Sequence, residues 1–188
     1  MNVSDAISKR RTIRKFRQDS LCDNDIIDII DAARLAPTGA NLQSLKYAVV
    51  KDETVRKQMF PYIKYAGYLP EWNPTFDECP PVFIVIVNDT DIKPDIRSEV
   101  DCGAAIMSMC LAALDKGIGS CWLGAIERDK IKDILCLKPN HSIAYILGLG
   151  YPAQDAKDVP MADSIKYYFD DEGTVCVPKR GMEEILIK

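Results

Sequence analysis

The chain predicts an α+β fold, an α/β three-layer sandwich in which one sheet lies between helices on both faces. Three observations predict it. Along all 188 residues, apolar positions at helical spacing alternate with short β-branched runs. Val82-Phe83-Ile84-Val85-Ile86-Val87 is apolar at every position, as a strand covered on both sides must be. Asp101 to Lys116 is apolar round most of its circumference, as a helix buried centrally or against a second subunit must be.

The elements follow in order. A first helix is expected from Ser4, a possible N-cap, to Arg11, with Ala6, Ile7 and Arg10 on one face. A second starts at Asp23 or Asn24, repeats Ile26, Ile29, Ile30 and Ala33, and stops before Pro37. Tyr47 to Val50 reads as a short strand, and Glu53 to Ile63 as a helix with Val55, Met59 and Ile63 inward. Tyr65 to Pro81, rich in aromatic residues and proline, reads as an irregular segment: a wall for a site, or a loop packed by its own aromatics. After the strand 82–87 and the helix 101–116, Gly117 suits a left-handed helix cap. Ser120 to Leu123 is a strand ending at Gly124, Glu127 to Leu135 a helix, and Ser142 to Leu149 a strand closed by Gly150-Tyr151-Pro152. A polar stretch follows, then a short strand at 175–177 and a last helix at 182–186. No repeat or linker divides the chain, so residues 1–188 read as a single domain.

Composition narrows the function. With 47% hydrophobic residues the chain can bury a sizeable core, and a net charge of −4 argues against nucleic acid as a partner. No apolar run reaches membrane-spanning length and no leader pattern opens the chain, which predicts no membrane partner and a cytoplasmic location. The seven cysteines, at 22, 79, 102, 110, 121, 136 and 176, form no C-x-x-C pair. They read as small buried hydrophobes in a reducing compartment, with no metal site expected.

Four segments carry candidate chemistry. Arg10-Arg11-Thr12-Ile13-Arg14 sets cations around a hydroxyl, a set that suits a phosphate or a solvated helix end. If the helix continues, Arg10 and Arg14 are neighbours. Ala36-Pro37-Thr38-Gly39-Ala40-Asn41-Leu42-Gln43 is a tight turn; in extended backbone Asn41 and Gln43 would face one side and could meet a heterocycle edge. Gly117-Ile118-Gly119-Ser120-Cys121-Trp122-Leu123-Gly124 is a strand whose terminal glycine can bring backbone N–H groups close to a ring. Pro178-Lys179-Arg180-Gly181 is a basic turn. There is neither a Walker lysine nor a dinucleotide fingerprint.

Taken together and in this order, with Gly150-Tyr151-Pro152 between the last two, these segments resemble the nitroreductase family of FMN-dependent oxidoreductases. Its pattern runs Arg-Arg-Ser-x-Arg, Pro-Ser-x-x-Asn-x-Gln, Gly-x-Gly-Ser-x-Trp-x-Gly, Gly-Tyr-Pro and a late basic turn. The resemblance spans Arg10 to Arg180. Thr12 stands for the serine, and Ser44-Leu45 replaces the Pro-Trp that follows the glutamine. The resemblance implies a nitroreductase-like fold with a central mixed, mainly antiparallel sheet, and a homodimer with FMN at its interface. It implies that Arg10, Arg11 and Thr12, with Lys179 and Arg180, hold the phosphate, and that Arg14 sits near flavin N1 and O2. Pro37, Thr38, Asn41 and Gln43 would cover the flavin from the partner subunit. Backbone N–H groups at Leu123 and Gly124 would meet N5 and O4. The chain is short for the family, so Tyr65, Tyr68 and Trp72 are the expected substrate-pocket wall.

The implied activity is ping-pong hydride transfer: NAD(P)H reduces FMN at N5 and leaves, and a small electron-poor acceptor such as a nitroaromatic or quinone enters the same face. No side-chain catalyst is required, and the single histidine, His141, is given no role. Alternatives on the same fold are dehalogenation, flavin fragmentation, ring dehydrogenation, or a non-catalytic redox sensor.

Overall fold

The computed structural model describes residues 1–69, 73–94 and 98–187. Its elements are α1 (Val3–Lys9), α2 (Asp23–Arg34), β1 (Leu45–Val50), α3 (Glu53–Met59), β2 (Val82–Asp89), α4 (Glu99–Asp115), β3 (Gly119–Leu123), α5 (Arg128–Ile134), β4 (His141–Gly150), β5 (Ala156–Pro160), β6 (Tyr168–Phe169), β7 (Val175–Lys179) and α6 (Met182–Ile185). Short 3₁₀ turns at 39–41, 60–62 and 76–78 lie between them.

β2 and β4 are the inner strands of a four-stranded sheet ordered β1-β2-β4-β3, antiparallel at each pairing. All eight residues of β2 are buried, as its unbroken apolar run requires. Its alternate residues feed two cores. Ile84 and Ile86 pack under α2 and α4, with Ile26, Ile29, Ile106, Met109 and Leu147. Phe83, Val85 and Val87 pack on the other face, with Met59 of α3 and Ile131 of α5. These two layers of helix about one sheet are the predicted sandwich.

Some boundaries differ from the expectation. Asn2, not Ser4, caps α1, its side-chain oxygen accepting from the Asp5 N–H at 2.9 Å. α1 ends at Lys9, and Arg10 turns to ψ 122. The chain leaves the helix because it pairs with β3: Thr12 bridges Ser120 in parallel, and the Ile13 N–H donates to the Ser120 carbonyl at 2.9 Å. Arg10 and Arg14 are therefore not neighbours on a helix. That parallel bridge adds the mixed character to the sheet edge. α3 stops at Met59 and tightens into the turn holding Pro61. Gly117 takes the expected left-handed conformation, φ 72.

The polar stretch after Pro152 holds two strands that the sequence pattern did not disclose. β5 pairs parallel with β7, and β6 antiparallel, in a second sheet ordered β5-β7-β6. Lys179 is thereby the last residue of a strand and not part of a turn. Half of α4 is covered. Cys102, Ala105, Ile106, Met109 and Ala113 are buried, whereas Val100 and Met107, on the other side, are 82% and 42% exposed.

Candidate active site

The extended segment after α1 brings the cationic cluster to β3. Gly119 eases that approach: a Cβ would stand 3.0 Å from side-chain carbons of both Ile13 and Pro152, which would have to give way. The Gln154 side-chain oxygen accepts from the Arg14 and Lys15 N–H groups at 3.2 and 2.9 Å, clasping the segment. Arg11 donates to the Ser8 carbonyl and to Asp158 on β5, and these contacts tie it to the second sheet. The hydrogen bond from Arg11, helped by the charge of Lys179, holds the Asp158 carboxyl below its ordinary range. Lys179 and Arg11 thus share one neighbourhood. Arg180, next along, is paired with Glu184 at 2.8 Å.

Arg10 is different. Its guanidinium is half-buried and makes no hydrogen bond or ion pair with any described residue. It lines a cleft of about 200 Å³ with Ser120 and Gln154. The Gln154 Nε2 in that cleft wall is buried without an acceptor, as is Arg11 Nε nearby. An unpaired cation beside orphaned donors lacks an anion, because buried N–H groups without partners are costly. The donors that line this cleft, Arg10, Arg11 and Gln154, fit a phosphate, whereas Thr12, Lys179 and Arg180 are not among its lining residues.

A second cleft, about 620 Å³, lies past the same β3 strand and is lined by Tyr65, Ala66, Trp122, Leu123 and Gly124 among others. Arg14 reaches its wall, donating from Nε to the Tyr65 carbonyl at 2.7 Å. Leu123 and Gly124 thus line the cleft whose Tyr65 wall Arg14 bonds. Tyr65 itself is only 6% exposed, and burial raises its phenol pKa, so it offers the cleft backbone rather than hydroxyl. Tyr68 is 48% exposed and is not among the residues that line the cleft. Trp72 lies outside the described residues. Cys121, buried within β3 itself, has its thiol pushed up to about 12 by burial, so it is an inert core residue.

The turn 37–43 stands elsewhere. Ala40, Asn41 and Gln43 all have positive φ, 51, 54 and 53. The backbone is left-handed, not extended, so the expected shared face of Asn41 and Gln43 does not arise from strand alternation. The turn is held by the Gly39 N–H donating to Asp101 at 2.9 Å, by a buried ion pair between Asp101 and Lys93, and by the Gln43 N–H on the Thr38 hydroxyl at 3.3 Å. Pro37, Asn41 and Gln43 are exposed. The turn runs into β1, one edge of the sheet, and Thr12 bridges β3, the opposite edge. Within one chain the turn and the cations do not meet.

Residues 7–151 match the Nitroreductase family. The chain belongs to the nitroreductase family. A protein from Archaeoglobus fulgidus, provisionally named an NADH dehydrogenase/NAD(P)H nitroreductase, is 32% identical over 163 residues, 84% of this chain and 88% of that one. The solved FMN-dependent nitroreductase from Clostridium difficile R20291 is 25% identical with a TM-score of 0.68, covering 82% of this chain and 90% of that one. A Desulfovibrio desulfuricans protein, provisionally named a nitroreductase and crystallised with FMN, shares the fold over 100% of this chain and 96% of its own, with a TM-score of 0.76 at 23% identity.

Sequence reasoning missed two residues that line these clefts. Gln154 left no signal, since a single glutamine after a proline turn is unremarkable. Trp122 did: in Ser120-Cys121-Trp122-Leu123 strand alternation puts it opposite the buried Cys121 and Leu123. It is 42% exposed and packs edge-on against Tyr145, centroids 5.2 Å apart. Among the described residues, no group of three or more His, Cys, Asp or Glu could hold a metal ion, and no helix is long and apolar enough to cross a membrane.

Proposed function

We propose that the protein is an FMN-dependent NAD(P)H oxidoreductase acting on a small electron-poor acceptor, such as a nitroaromatic or a quinone, with residues 1–188 forming one FMN-binding domain. One observation carries the reading: the unpaired Arg10 cradle and the Gly124 cleft lie along the same strand, with Arg14 beside the second. Their chemistry matches the two ends of FMN. Arg10, Arg11 and Gln154 bind the dianion, and Arg14 supplies a cation to the pyrimidine edge. Leu123 and Gly124 offer backbone donors to the central ring. The chemistry that bound FMN supplies is two-electron hydride exchange with NAD(P)H and then with the acceptor. A fixed cation near N1 stabilises negative charge there without reorganisation.

The opposed positions of the turn 37–43 and the cationic segment support a homodimer in which each turn covers the partner's flavin. Seven cysteines, all free, support a cytoplasmic location. The test is the cofactor and the kinetics together. Acid treatment should release FMN, and double-reciprocal plots of acceptor at several NAD(P)H concentrations should be parallel. Recovery of FAD, or of no flavin after reconstitution, overturns the assignment; intersecting lines with a ternary complex overturn the shared face.

A further inference from the structure

Arg14, the strap between β5 and β7 and the segment 65–68 close on one another in a ring of contacts. Arg14 Nε donates to the Tyr65 carbonyl at 2.7 Å. Its guanidinium lies over the Tyr167 ring, 4.5 Å from the centroid. The Tyr68 N–H donates to the Tyr167 hydroxyl oxygen at 3.2 Å, and the two rings stand 5.2 Å apart at 50°. Every residue from 162 to 169 is exposed except Tyr167, which is half-buried. One ring thus keys an otherwise solvent-facing strap to Arg14, the cation that bonds the Tyr65 wall of the Gly124 cleft.

We propose that Tyr167 is the positioning residue for Arg14. Arginine has several rotatable bonds, and a charge is useful at a cofactor edge only when held in one geometry. The Tyr65 carbonyl fixes Nε; the Tyr167 ring fixes the plane of the guanidinium by a cation–π stack. The Tyr68 N–H in turn holds the Tyr167 ring, so the strap, the cleft wall and Arg14 form one unit. The inference rests on the FMN reading above, with Arg14 at the flavin pyrimidine edge. A loosened Arg14 stabilises the reduced, more negative cofactor less than before, while the oxidised form, neutral at that edge, is little affected.

The experiment compares Tyr167→Phe, which keeps the ring, with Tyr167→Leu, which removes it. Apo-protein is titrated with FMN by quenching of flavin fluorescence, and the midpoint potential is read by equilibration with a reference dye. Tyr167→Leu should lose about tenfold more affinity for reduced than for oxidised FMN, about 30 mV more negative for a two-electron couple. Tyr167→Phe should stay within about twofold of wild type, and Tyr68→Leu, which leaves the stack in place, should shift the potential less than Tyr167→Leu. Should Tyr167→Leu not fold, Tyr167→Met gives the same comparison. Equal potentials for wild type and Tyr167→Leu overturn the proposal, as does an equal shift in Tyr167→Phe. A wild-type protein that takes up no FMN overturns the reading beneath it instead.

Discussion

Arg10 and Arg180, both proposed as phosphate cations, stand in different circumstances. Arg10 has no anionic partner, whereas Arg180 is shared with Glu184 across one turn of α6. Removing Arg10 takes nothing from the fold and leaves a phosphate short of a charge-assisted donor. Arg10→Ala should therefore weaken FMN binding by about 1.5–3 kcal/mol with an unchanged melting temperature of the apo-protein. Arg180→Ala should weaken it too, but less, because Glu184 must first release the side chain. Isothermal titration of apo-protein with FMN checks both, and unchanged affinity in the pair would assign these residues to solvated surface.

Among the elements, the turn 37–43 is the most strained. Ala40 at φ 51 has a Cβ pressed towards the following carbonyl, a conformation that costs an alanine about 1–2 kcal/mol. It persists because Asp101 and Lys93 hold the adjacent Gly39, and such strain concentrates at functional sites. Glycine relieves it at some entropic cost. Ala40→Gly should raise stability by about 0.5 kcal/mol in urea unfolding, where the same change inside a helix lowers it. A clear loss of stability would mean that the turn is not left-handed in solution. The turn signal itself was legible from Pro37, Thr38, Gly39 and Asn41. The handedness was not: it is imposed by Asp101, sixty-two residues away.

For the whole molecule the decisive fact is the separation of the turn at the β1 edge from the cations at the β3 edge. A second copy completes the site only if it buries what one chain leaves open. What one chain leaves open is the face of α4 with Val100 and Met107 and the C-terminal run with Ile185, Leu186 and Ile187 exposed. An obligate interface on the order of 2,000 Å² or more is expected. Met107→Glu puts a charge on this face without touching the core of its own chain. Sedimentation should then show monomer, with helical content intact and FMN affinity reduced. A dimer as tight as wild type would remove α4 from the interface.

The order of the helices and of the four strands of the first sheet, and both faces of that sheet, were legible in the sequence. Each rests on short-range rules: the all-apolar β2, the helical repeat of Ile26, Ile29 and Ala33, the glycine that ends β3. The membership in the nitroreductase family was legible for the same reason, since its motifs are local strings. What only the tertiary structure decided is long-range. Arg10 left its helix because β3 offered Thr12 a bridge. The polar stretch became β5 and β6 because β7 pairs with both, a partnership that no periodicity in so short a run announces. Gln154 and Tyr167 are placed by such long-range contacts too. Arg14 and Lys15 stand 139 or more residues from them, and Tyr68 stands 99 from Tyr167, so only the folded sheet and its strap bring these groups within hydrogen-bonding or stacking distance.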